Sequence, residues 1–132
     1  MINGGVEVTG AYLIFRDLEV TSTSTNRVSN QNSSCPSDIA QLVGFNVYGR
    51  GVKIINNVIH DVQAGINSWS QGVDDEFYGN IIFYNGWYSR ANGAHGHGVY
   101  MQNQAGSKRI TDNIIFNQFD HGIHLYGSAA AA

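Results

Sequence analysis

The stretch NIIFYNG, residues 80–86, opens with the same four letters as NIIFNQF, residues 113–119, in a chain of 132 residues. Recurrence at an interval of this kind marks a repeat architecture, so it sets the frame for every local reading. Aligned on the first Asn, a looser copy follows at Asn57-Val58-Ile59-His60 and a looser one still at Asp17-Leu18-Glu19-Val20. Each copy precedes a second motif, a Gly opening an alternating run: Gly44-Phe45-Asn46-Val47-Tyr48, Gly65-Ile66-Asn67-Ser68-Trp69, Gly98-Val99-Tyr100-Met101-Gln102 and Gly122-Ile123-His124-Leu125-Tyr126. Both motifs have the period of two and the β-branched and aromatic content of strands.

A further strand precedes each Asn, at 12–15, 52–55, 75–78 and 108–111. From each Gly to the next Asn the chain takes 13, 15 and 15 residues (44 to 57, 65 to 80, 98 to 113), whereas from Asn to the following Gly it takes 27, 8, 18 and 9. One arc is fixed and the other accepts insertions. The shortest copy closes in 23 residues (57 to 80), right for three short strands joined by turns and too short for a pair of helices. Stacking the copies predicts three apolar columns: Ile14, Ile54, Phe77 and Ile110; Leu18, Val58, Ile81 and Ile114; Phe45, Ile66, Val99 and Ile123.

These motifs resemble the pectate-lyase-like superfamily over about residues 11–127. The resemblance implies an all-β fold, a right-handed parallel β-helix (solenoid) of about four coils with two inserted loops, its hand taken from the family. In that family a polar residue stacks at the tight turn before the third strand, a place that Asp17, Asn57, Asn80 and Asn113 take in this chain. The reading expects one domain over 1–127, a piece of a longer protein, followed by a linker or vector-derived tail at 128–132. An extracellular location follows from the resemblance alone. Seven basic against ten acidic residues, a net charge of −3 and no large basic cluster argue against nucleic acid or an anionic membrane as partner. A single cysteine, Cys35, excludes an internal disulfide.

Both long arcs, 21–43 and 84–97, fall where family members wall a substrate cleft, so a trough floored by the second coil is expected. Alternation turns Asn46, Asn67, Tyr100 and His124 outward in one column and Tyr48, Trp69, Gln102 and Tyr126 in another. Flat rings and amides in register suit sugar rings and their hydroxyls. Outward aromatics can also serve only to stabilise one another. Arg27 and Arg90, on the two arcs, could meet an anionic sugar.

Gly96-His97-Gly98 resembles the Gly-His-Gly of polygalacturonases, whose Asp-Asp pair has a counterpart in Asp74-Asp75. The register refuses the match, because Asp75 heads a different strand from the one His97 precedes. Alignment of Gly98 with Gly122 instead places His97 beside His121, with His124 on the same strand. Such imidazoles can exchange protons near neutral pH or hold a divalent metal, although stacked histidines more commonly bond loop carbonyls. His97, His121, His124 and Asp61 are the catalytic candidates, with Asp120 or Asp38 as the second acid that paired-carboxylate hydrolysis requires. His60 reads as a core-edge residue. No Asp/Glu cluster able to hold a lyase's calcium stands out on the Gly-led face, and no metal or cofactor is assigned.

Two functions emerge. One is a carbohydrate-active protein, a polysaccharide lyase, glycoside hydrolase or epimerase. The other is a non-catalytic, glycan-binding or structural module that forms a homo-oligomer through uncapped coil ends.

Overall fold

The computed structural model describes residues 1–127, so the tail expected at 128–132 lies outside the described residues. Within them the protein is all-β, with seventeen strands and no helix. Three sheets are parallel throughout, and each takes one short strand from successive repeats. The NIIF sheet runs Ile2–Asn3, Glu19–Thr21, Val58–His60, Ile81–Phe83, Ile114–Phe116. The sheet before it in each repeat runs Ile14–Arg16, Lys53–Ile55, Glu76–Tyr78, Arg109–Thr111. The Gly-led sheet runs Val6–Val8, Phe45–Val47, Ile66–Ser68, Val99–Asn103, Ile123–Gly127. Its first strand, opened by Gly5, is a copy that the sequence alignment did not count.

All three sheets feed one apolar cluster. Phe77 pairs in register with Ile54 and Ile110, and Ile54 with Phe15, so the first expected column holds with Phe15 in place of Ile14, which is exposed. The second column is corrected except at Leu18, which packs against the core. Val20, Ile59 and Ile82 are the buried residues, while Ile81 and Ile114 face outward and Glu19 stands opposite Val58. The Asn itself occupies the first inward place, so the pleat turns the next residue out and the one after it in. In the third column Phe45, Ile66 and Val99 are fully buried, while Ile123, in register with Val99, is exposed.

The Asn residues form a ladder. Asn80 Oδ1 accepts the backbone N–H of Asn57 (2.9 Å), and Asn113 Oδ1 accepts that of Asn80 (2.9 Å), while the Asn80 amide donates to Ile54 O (2.9 Å). Side-chain amides thus satisfy turn groups buried in the interior. Leu18, whose N–H bonds Asn57 Oδ1, holds the first rung rather than Asp17. Asp17 belongs one place earlier, with Asn56, Gly79 and Asp112, all at left-handed φ between 53° and 66°. A second ladder, unforeseen, stands five residues on: Asn85 Oδ1 accepts Val62 N, and Gln118 Oε1 accepts Asn85 N.

Backbone spacing fixes the glycines. A Cβ on Gly98 would lie 2.6 Å from Gly122 O and 2.6 Å from Ile115 Cγ2, and the equivalent neighbours are Gly98 O and Ile82 Cγ2 for Gly65, and Gly65 O and Ile59 Cγ2 for Gly44. One polar cluster lies inside. Asp75, fully buried, accepts Val52 N (2.9 Å) and Ser68 Oγ (2.8 Å), and Lys108 Nζ donates to Ser68 Oγ (2.7 Å) and to the carbonyls of Trp69 and Gln102 (both 2.6 Å). Burial pushes the lysine down to about 8 against the pull of Asp75, and raises the Asp75 carboxyl above its usual range. Asp75 therefore lies buried immediately before Glu76–Tyr78, a different strand from the one that His97 precedes.

Candidate functional site

The Gly-led sheet carries its outward side chains in the expected register. Glu7, Asn46, Asn67, Tyr100 and His124 are successive partners, and Gln102 pairs with Tyr126. Tyr48 and Trp69 stack at 6.1 Å and 12°, and Trp69 meets Tyr100 at 5.6 Å. Part of this face satisfies itself: Asn46 accepts the Trp69 indole N–H (2.6 Å) and donates to Tyr48 Oη (3.1 Å), while Gln102 donates to Tyr100 Oη (3.1 Å). Tyr126 is exposed.

The two long arcs meet one another. Val28–Ser29 lies parallel to Trp87–Ser89, which pairs antiparallel with Gly93–His95. The second repeat is short at this point, so nothing separates the arcs above it, and they form one wall rather than two. Arg27 fixes that wall. Nine per cent exposed, its guanidinium donates to Val62 O (3.2 Å), Gly86 O (3.0 Å) and Asp61 Oδ1 (2.7 Å) and lies over the Tyr84 ring.

A cleft of about 240 Å³ lies between wall and sheet. Gln63, Ala64, Asn67 and Trp69 of the second repeat line it with His97 and Tyr100 of the third; Ser34, Cys35, Trp87 and His95 come from the arcs. An adjoining depression of about 220 Å³ shares Val43 and Gln63 and adds Glu7 and Asn46. Three buried polar atoms on described residues lining the cleft have no partner: the acceptor Asn67 Oδ1, the donor Trp87 Nε1 and His97 Nδ1.

Four of the residues expected at the site, Asn67, Trp69, Tyr100 and His97, line this cleft. Asp61 does not. It stands at φ 58° on the turn, ion-paired with Arg27 and bonded to His60 Nδ1 (2.7 Å), so neither Asp61 nor Arg27 is free for substrate. Arg90 is exposed outside the cleft, and Asp38 is held by Ser29 Oγ (2.6 Å) and Asn30 N (2.8 Å), bonds that keep its carboxyl below its usual range. His60 packs flat on Phe83 at 4.8 Å, a core-edge position. Sequence reading missed Trp87, Gln63 and Glu7. The uncounted Gly5 strand concealed Glu7, and Trp87 lay within an arc expected only as a wall.

His97, His121 and His124 come together beside the cleft, their nearest ring nitrogens all within 4.8 Å. His97 Nε2 is 3.4 Å from His124 Nδ1. Asp120 Oδ1 bonds His121 Nδ1 (2.7 Å), and Asp120 Oδ2 lies 3.8 Å from His97 Nδ1, a buried atom without a partner. Tyr100 stacks on His97 at 5.6 Å and 20°. Burial holds His97 below the usual imidazole range, with Asp120 opposing and the other histidines adding to the shift. Among the described residues none of the three rings bonds a loop carbonyl, the role that stacked histidines usually fill. No family model, curated protein or solved structure matches this chain.

Proposed function

We propose that this chain is a right-handed parallel β-helix of pectate-lyase-like type whose Gly-led face binds a carbohydrate, a segment of polysaccharide, in the cleft under the joined arcs. The three parallel sheets, their common core and the Asn ladder support the fold reading. The observation that carries the function is the pair of unpartnered atoms, Asn67 Oδ1 and Trp87 Nε1, on residues lining a cleft that also contains Trp69 and Tyr100. An unsatisfied buried polar atom calls for a partner, and a sugar hydroxyl both donates and accepts. The exposed faces of aromatic rings suit the C–H side of a pyranose. The cleft is smaller than the ~300–1,000 Å³ of sites that enclose a drug-sized ligand, so it suits one ring of a longer chain.

Binding is better supported than paired-carboxylate hydrolysis. Among the described residues lining the cleft and its neighbour, Glu7 is the single carboxylate, and that chemistry needs two. An extracellular setting accords with such a ligand. The test is a panel of uronic-acid and neutral polysaccharides, read for affinity, unsaturated ends and reducing sugars. The expected outcome is affinity for at least one glycan that falls at least tenfold in Trp69→Ala and in Asn67→Ala. No glycan bound, or affinity unchanged in both variants, refutes the proposal.

A second reading, association of two copies through the last repeat, has one observation in its favour. Ile114, Ile123 and Leu125 are 59%, 46% and 65% exposed. Sedimentation of the Leu125→Asp variant beside wild type tests it, and a wild-type monomer at high concentration rules it out.

A further inference from the structure

The histidine cluster has more order than proton transfer alone requires. The 3.4 Å between His97 Nε2 and His124 Nδ1 is long for a hydrogen bond, since N–H donors ordinarily sit about 2.7–3.2 Å from their acceptors. It matches instead the edge of a tetrahedron about an ion with metal–nitrogen bonds of about 2.0–2.1 Å, an edge of about 3.4 Å. His121 completes a triangle with no side above 4.8 Å, and its side chain is 60% exposed. Behind the rings stands one carboxylate. Asp120 accepts Nδ1–H of His121 and lies within a small closure of His97 Nδ1, so it selects the tautomer that leaves Nε2 of both rings with a lone pair. Ligating histidines commonly have such a support behind them.

We propose that His97, His121 and His124 bind one divalent transition-metal ion of the zinc class, with Asp120 as the positioning residue behind two of them. Three imidazoles suit zinc, cobalt, nickel or copper and not calcium or magnesium, which prefer oxygen. Three protein ligands also leave a position for water or another ligand, as in His₃ sites. This inference does not depend on carbohydrate binding, and either can fail alone.

The experiment uses the whole chain stripped with chelator and then titrated with Zn²⁺ by calorimetry and with Co²⁺ by visible absorption. The expected result is one ion per chain at micromolar or tighter affinity, with d–d bands of a nitrogen-rich low-coordinate Co²⁺ site and no response to Ca²⁺. His121→Gln and His124→Gln, the ligands not lining the cleft, should each weaken binding at least tenfold with an unchanged circular dichroism spectrum. Asp120→Asn should weaken it by about 10–100-fold while leaving the melting temperature of the metal-free protein in place. His60→Gln, a histidine outside both cluster and cleft that bonds Asp61, should bind as wild type does. Failure to bind Zn²⁺ stoichiometrically, or affinity that survives both glutamine substitutions, overturns the proposal.

Discussion

Replacing Asn80 by Ala removes the middle rung of the Asn ladder. Its side chain makes four hydrogen bonds: Oδ1 accepts the N–H and the amide of Asn57 (2.9 and 3.1 Å), and Nδ2 donates to Ile54 O (2.9 Å) and Asn113 Oδ1 (2.8 Å). The Asn57 amide keeps Phe15 O, and Asn113 Oδ1 keeps Asn80 N–H, but the backbone N–H of Asn57 is left with no partner. That orphan costs about 1–3 kcal/mol and the bonds to Ile54 and Asn113 about 1 kcal/mol each, so the expected loss is about 3–5 kcal/mol. Against a total stability of about 5–15 kcal/mol this is a large fraction, and it corresponds to a melting temperature about 10–20 °C lower. Asn113→Ala removes a half-buried rung where water can enter, so it should cost about 1–2 kcal/mol. Urea unfolding followed by tryptophan fluorescence measures both. A loss below about 1 kcal/mol for Asn80→Ala, or one equal to that of Asn113→Ala, would refute the reasoning that desolvation makes the ladder matter.

Two further outcomes are expected. Gly65→Ala presses a methyl against Gly98 O and Ile82 Cγ2 and should destabilise by about 1–3 kcal/mol, whereas Gly127→Ala, with nothing among the described residues within 4 Å, should be neutral in the same denaturation assay. Lys108 loses its proton at about 8 when folded and at 10.5 when unfolded, so between those values the unfolded state binds the extra proton. Its contribution to stability is therefore present above 10.5 and is lost as pH falls through about 8. Comparison of wild type with Lys108→Met across that range should show the wild type gaining relative stability with rising pH, and parallel curves would contradict the burial of the amine.

Much of the architecture was legible because the repeats print one geometry several times. The register of the outward columns and the pairing of His97 with His121 follow from aligning four glycines, of which Gly44, Gly65 and Gly98 cannot take a Cβ without striking the next backbone. The first copy lacks an Asn, and the alignment took Asp17 for one. The left-handed φ values, 58° at Asp17 and 53° at Asn56, and the bond from Leu18 N–H to Asn57 show that Asp17 serves the preceding place. Periodicity also misjudged Ile81 and Ile114: the Asn before each takes the first inward place, so the pleat turns the following Ile outward and the next residue in. The contacts of Arg27 with Val62, Gly86 and Asp61 lie 34 to 59 residues away in sequence, and nothing local in 21–43 announces them. The Asn85–Gln118 ladder was visible in NIIFYN and NIIFNQ, had the comparison continued past the shared four letters.

Both ladders point the same way. Leu18 gives its N–H to Asn57, Asn57 to Asn80 and Asn80 to Asn113, while Val62 gives to Asn85 and Asn85 to Gln118. Every turn thus borrows its acceptor from the repeat synthesised after it. As the protein emerges from a ribosome, each tier waits incomplete until its successor arrives, and deleting repeats from opposite directions is not equivalent. Trimming from the front frees side-chain amides that still hold an acceptor in the following repeat; trimming from the back strands backbone amide hydrogens in turns already closed.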